Sequence, residues 1–127
     1  MKVVLDAWAL IAFFDDSPVA AARVEALLAE GEGVVCSINL GEVLYRQTRL
    51  AGARAANERV AALRGNLDVV DPDWQLVEAA AAIRAPGGLS YADAFCVATA
   101  TRIDAPIWTG DPEIIGLPGD HDVVDLR

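Results

Sequence analysis

One histidine, one lysine and two cysteines are present in 127 residues, and acidic side chains outnumber basic ones by 19 to 10. Each scarcity closes off a class of chemistry. His121 stands alone in the acidic loop from Gly119 to Asp122, where it reads as solvated, so acid–base catalysis by imidazole is not expected. Cys36 and Cys96 have no CxxC spacing and sit in the apolar strings Val-Val-Cys-Ser and Phe-Cys-Val. They read as buried free thiols rather than zinc ligands or a disulfide framework, and a reducing cytosol is the expected compartment. No uncharged apolar run approaches the roughly 18–20 residues needed to cross a bilayer. The N-terminal stretch pairs Lys2 with an apolar run and the small residues Ala20 to Ala22, but Asp6 interrupts it and Asp15-Asp16 follow, so export is not expected either. The shortage of lysine and arginine leaves a formal charge of -9. Such a balance argues against nucleic acid as a partner, because phosphate binding depends on cationic side chains displacing counterions.

What is abundant is apolar and small. Hydrophobic residues make up 54% of the chain and the mean hydropathy is +0.33, too high for a disordered polar chain. The length suits one compact domain over residues 1–127, with no linker, repeat or composition shift to divide it. Alanine, at 24 residues, concentrates in segments of helical periodicity such as Val24-Leu27-Leu28, Leu40-Val43-Leu44-Gln47 and Leu76-Ala79-Ala80. Between them lie short β-branched runs bounded by Gly, Pro, Asp or Ser: Val3–Leu5, Val34–Cys36, Leu67–Val70, Ile107–Trp108 and Val123–Val124. Strands alternating with helices predict an α/β fold with a parallel sheet covered on both faces. Phe13, Phe14, Trp74 and Phe95 lie in apolar helical segments and are expected in the core.

In such a sheet ligands bind beyond the carboxyl ends of the strands. Four acids fall there. Asp6 follows the first strand, Glu42 lies in the helix opened by Ser37, Asp93 lies in the first turn of a helix capped by Ser90, and Asp111 follows the run Ile107-Trp108-Thr109. Each also has a structural reading: Asp93 as half of a capping box with Ser90, Asp111-Pro112 as a turn, Glu42 as a surface pair with Arg46. Together they would repel one another and their burial would be costly, unless a divalent cation sits among them. An all-oxygen donor set favours Mg²⁺ or Mn²⁺.

The strings Val3-Val4-Leu5-Asp6, Ser37-Ile38-Asn39-Leu40-Gly41-Glu42-Val43, Leu89-Ser90-Tyr91-Ala92-Asp93-Ala94 and Trp108-Thr109-Gly110-Asp111-Pro112, in this order, resemble the PIN-domain family, and within it the VapC-type ribonuclease toxins of type II toxin–antitoxin modules. The resemblance implies a three-layer α/β/α sandwich with about five short parallel strands. It implies an endoribonuclease dependent on Mg²⁺, with Mn²⁺ as an alternative, that leaves 5′-phosphate and 3′-hydroxyl ends. It also implies a homodimer and a cognate antitoxin whose tail enters the acidic pocket. Asp6, Glu42, Asp93 and Asp111 match the family's acidic quartet, and Thr109 matches a hydroxyl residue that orients the attacking water. Asn39, one helical turn before Glu42, matches no fixed role and is a candidate for supporting the acids or meeting substrate. Two positions depart from the pattern: Trp8 stands where a small hydroxyl or amide residue is common, and Ile114 stands near a position that is often aromatic. Trp8 and Trp108 are both expected beside the pocket.

The basic residues are unevenly placed. Residues 46–64 hold five arginines and one glutamate, net +4, while the remainder is at -13. Asn39, Glu42, Arg46 and Arg49 share one helical stripe, so Arg46 and Arg49 are candidate phosphate contacts, with a solvated helical hairpin as the simpler alternative. Two other functions fit an acidic α/β domain: a noncatalytic binding module on the same fold, and an aspartyl-phosphate phosphatase or receiver. The latter wants a second Asp where Trp8 stands and a lysine after a later strand, whereas the one lysine is Lys2.

Overall fold

The computed structural model describes residues 1–127. It holds five strands, β1 (Val3–Leu5), β2 (Gly33–Cys36), β3 (Asp68–Val70), β4 (Ile107–Thr109) and β5 (Val123–Asp125), and seven helices. The helices are α1 (Ala7–Phe14), α2 (Ala20–Ala29), α3 (Ser37–Ala51), α4 (Ala53–Arg64), α5 (Trp74–Arg84), α6 (Tyr91–Ile103) and the single turn α7 (Pro112–Ile115). The strands form one sheet in the order β3-β2-β1-β4-β5, every neighbouring pair parallel. This is the expected α/β/α sandwich, and all five expected strands are present, displaced by at most a residue at their ends.

The sandwich follows from alternation along strands of three or four residues. Val3 and Leu5 face α1, α2, α3 and α4, forming one core with Leu10, Val24, Leu27, Val43, Val60 and Leu63. Val4, between them, faces the opposite way and packs with Val97, Ile107 and Ile114, while Cys36 joins Leu76, Ala80 and Phe95 in the layer of α5 and α6. A strand buried on both faces has no room for polar side chains, which is why β1 and β2 read as unbroken apolar runs. The chain builds outward from β1 to β3 on one side, then crosses to β4 and β5 on the other. The strand order therefore reverses between β1 and β4, where helices leave in opposite directions and a crevice opens.

Both cysteines are free and buried, as expected, and burial pushes the Cys36 thiol up and the Cys96 thiol well up. Trp74 departs from expectation: it is 71% exposed rather than in the core. It is the first residue of α5, and the helix is turned so that Leu76 and Ala80 face inward. Its start is pinned by Asp73, which accepts from the Leu76 amide and pairs with Arg102 of α6 at 2.7 Å. Phe13 and Phe14 are half-buried against the core, and Phe95 is fully inside it. At the amino ends of the strands, Lys2 donates to Asp68 at 2.7 Å and the Met1 amine pairs with Glu32 at 3.4 Å. No helix is long and apolar enough to cross a membrane.

The arginine-rich stretch spans the end of α3 and all of α4, two helices packed as a hairpin. Gly52 separates α3 from α4 with φ +86 and ψ 162, a conformation open essentially to glycine alone. A Cβ placed there meets nothing within 4 Å, so substitution tests the backbone and not the packing. Gly52→Ala is expected to lower stability by about 1–3 kcal/mol. An unchanged urea midpoint would show that the turn relaxes without strain.

Candidate active site

Four helix starts converge at the carboxyl edge of the sheet, and each delivers one of the expected acids. Asp6 ends β1 and caps α1, its Oδ1 accepting from the Ala9 amide at 3.1 Å. Asp93 sits in the first turn of α6, whose start is held by Ser90 Oγ accepting from the Asp93 amide at 3.1 Å. Ser90 alone makes the cap, which leaves the Asp93 carboxylate free of the reciprocal capping bond. Asp111 leaves β4 and caps α7 by accepting from the Glu113 amide at 2.9 Å, so its turn-forming and site-forming roles coincide. Glu42, in the second turn of α3, accepts from Asn39 Nδ2 at 3.2 Å rather than pairing with Arg46.

One carboxylate oxygen from each of Asp6, Asp93 and Asp111 lies within 4.8 Å of the others. Glu42 stands outside that triad. Asp6 is 2% exposed and Asp93 9%, while Asp111 is partly open to solvent, so the cluster reaches the surface on the Asp111 side. None of the four acids is ion-paired to a lysine, arginine or histidine; the chain's salt bridges all lie elsewhere. The electrostatic cost is visible in the acids themselves. Burial, reinforced by Asp93 and Asp111, raises the Asp6 carboxyl to about 7 in spite of bonds from Thr109 and Ala9. Burial and the Asp111 charge raise Asp93 to about 6, and burial raises Glu42. Oxygen donors only, close spacing and no internal cation fit a hard divalent ion, which Asp6, Asp93 and Asp111 could hold, with Glu42 as a neighbour.

Thr109 couples the two strands that flank the crevice. Its hydroxyl donates to Asp6 Oδ2 at 2.8 Å and accepts from the Asp111 amide at 2.9 Å. The one hydroxyl proton is thus committed to Asp6, and the side chain fixes a carboxylate across 103 residues of sequence. Trp8 does lie beside the site. Its ring packs on Gly110 so closely that a Cβ at that position would overlap the indole. The glycine between Thr109 and Asp111 was the one signal in the sequence for this contact. The Trp108 ring turns away from the site: it sits under the Arg23 guanidinium at 4.7 Å, with Met1, Val3 and Leu27.

The candidate substrate contacts divide. Arg46 and Arg49 are exposed on α3, Arg46 paired with Asp15 at 3.3 Å and Arg49 lying 4.9 Å from the Tyr45 ring centre. Asn39 is 0% exposed and cannot meet substrate in this conformation, because it is enclosed between α3 and α6. His121 is exposed, as expected, and lies at the other end of the sheet with Met1 and Asp104.

The raised carboxyls have a consequence for the metal-free chain. Unfolded Asp titrates near 3.9, so Asp6 and Asp93 stabilise the fold fully only below that pH, and their contribution is lost as pH rises through about 6 and about 7. In EDTA the melting temperature should fall from about pH 4 to about pH 7 and level off above it. Asp6→Asn should flatten that fall and raise the melting temperature at the alkaline end. A variant that melts below the parent chain at every pH would mean that Asp6 is not held against its charge.

A family model described as PIN domain matches residues 3–118. No curated protein matches the sequence. Among solved structures, a DNA-bound VapBC from Salmonella typhimurium superposes with a TM-score of 0.80 at 16% identity, covering 100% of this chain and 99% of that one. A toxin–antitoxin complex from Klebsiella pneumoniae gives 0.77 at 19%, covering 99% and 98%. VapC20 of Mycobacterium tuberculosis, a toxin that cleaves the sarcin–ricin loop, gives 0.72 at 20%, covering 91% and 94%. With the family model spanning all five parallel strands but the last, and the acids gathered at their carboxyl ends, the chain belongs to the PIN domain family.

Proposed function

We infer that this chain is a Mg²⁺-dependent endoribonuclease and the toxin of a type II toxin–antitoxin pair. The observation that carries the reading is the Asp6-Asp93-Asp111 cluster, close-set, largely buried and without a cationic partner in the chain. When bound there, a divalent cation lowers the pKa of a coordinated water and neutralises charge on the scissile phosphate. The chain's own part is to set the geometry. Asp6 is locked by the Ala9 amide and the Thr109 hydroxyl, so it presents a fixed oxygen and cannot swing away when its proton leaves. Asp111 is the most open of the three, so the cluster is reachable by a phosphodiester on its side. Glu42 comes from α3 on the side that also carries Arg46 and Arg49. Mn²⁺ satisfies the same donor set.

The partners follow from what the structural neighbours are named for. The Klebsiella protein is part of a toxin–antitoxin complex, the Salmonella one of a DNA-bound VapBC, and the Mycobacterium protein is a sarcin–ricin loop cleaving toxin, which supports an antitoxin partner and an RNA substrate here. An arginine or lysine from an antitoxin tail is the natural competitor for the cluster, since it supplies the missing positive charge. A homodimer acting in the cytoplasm completes the reading.

Cleavage of total RNA with Mg²⁺ tests it. Activity should vanish in EDTA and fall by about two orders of magnitude or more in Asp6→Asn and Asp93→Asn. Cleavage that persists without metal, or full activity in both variants, would sink the assignment. The arginine stripe has its own test: Arg46→Ala or Arg49→Ala should weaken RNA binding and reduce the slope of log affinity against log salt by about one. A slope equal to that of the parent chain removes those residues from the RNA path.

A further inference from the structure

Asn39 holds a position that thermodynamics alone would give to an apolar residue. It is completely buried in the first turn of α3, between Leu40 and the start of α6, and asparagine is a poor helix former. Its Nδ2 group donates twice: to Glu42 Oε1 at 3.2 Å on its own helix, and to the Ala92 carbonyl at 2.9 Å on α6. Both neighbours are acceptors, so the amide cannot be turned over. The other end, Asn39 Oδ1, then has no donor, and it is the one buried side-chain polar atom in the chain without a partner. Buried polar atoms are almost always satisfied, so an orphan kept in place signals that the opposite end of the group matters.

The placement says what it does. Ala92 immediately precedes Asp93, and its carbonyl lies inside α6, where helical bonding already supplies a partner. The second bond, from Asn39, therefore adds little to α6 as a helix and much to where α6 begins. One amide ties the acid of α3 to the acid of α6 across 53 residues. We propose that Asn39 is a positioning residue for the metal centre, its Nδ2 group setting the Glu42 carboxylate and the Asp93-bearing turn relative to each other so that the cluster is pre-formed for a divalent cation. This deepens the nuclease reading and rests on the metal site which that reading assigns. Asn39 itself touches neither metal nor RNA.

The test reads metal affinity without turnover. Mn²⁺ binding to the whole chain, followed by calorimetry or electron paramagnetic resonance in the absence of RNA, is compared for the parent chain, Asn39→Leu, Asn39→Ala and Asp6→Asn, with melting in EDTA as the control for folding. Leucine keeps the branched shape and removes both donors; alanine removes them without crowding the core. Either Asn39 variant should bind Mn²⁺ about ten- to a hundredfold more weakly, the usual effect of losing a group that orients a ligand. Its melting temperature in EDTA should stay within a few degrees of the parent's. Mn²⁺ affinity equal to the parent's in a folded variant overturns the proposal, and so does loss of folding in both, which would make Asn39 a stability residue. If the parent binds Mn²⁺ and Asp6→Asn does not, that failure belongs to Asn39 alone. If the parent binds no Mn²⁺, the metal reading falls and the proposal with it.

Discussion

Negative charge without a counter-charge, gathered at the one edge of the sheet where helices begin, is the constraint around which this fold is arranged. In a parallel sheet every strand hands its chain to a helix at the same edge, so helix amino ends with their unpaired amides collect there. Asp6, Asp93 and Asp111 use those ends, two as caps and one in a first turn, and the backbone amides partly offset what burial costs. They do not offset all of it, as the raised Asp6 and Asp93 carboxyls show. The remaining deficit is what a metal ion, or a basic side chain from a partner, can meet.

The supporting contacts keep repelling groups close together in its absence. Thr109 grips Asp6 and the Asp111 amide, closing the β1–β4 side of the crevice, while Asn39 spans the α3–α6 side. Neither bond is needed to form the helices it touches. The net charge of -9 takes on a different meaning in this light. Part of it is concentrated at a site that attracts cations, and the arginines of α3 and α4 lie on the adjoining hairpin, so total charge is a poor guide to what this surface can hold.

Much of this was legible in the sequence because buried parallel strands leave an unambiguous trace: short β-branched runs such as Val3–Leu5, ending at a residue that has to be polar. Asp6 and Asp111 were legible for the same reason, and Glu42 and Asp93 from their places near helix starts. What was hidden depends on contacts between distant segments or on helix rotation. Nothing local predicts that Thr109 meets Asp6 or that Asn39 reaches Ala92, and only the bare glycine at 110 hints that Trp8 covers it. Trp74 misled because a large aromatic in an apolar helix reads as core, whereas its place as the first residue of α5, fixed by the Asp73 cap, turns it outward. Trp108 misled because alternation along β4 sends it away from its neighbour Thr109, into the layer that holds Arg23. The arginine stretch was legible as a helical hairpin, but not the glycine-only backbone at Gly52 on which it turns.

The ionic cluster at the amino ends of the strands has a practical side. Lys2 carries the one lysine amine of this sequence and sits at that edge, paired with Asp68. The acids occupy the far edge, a strand length away. Coupling through that lysine to a dye or a solid support would therefore attach every molecule by the same end, leaving the acidic crevice facing outward and chemically untouched.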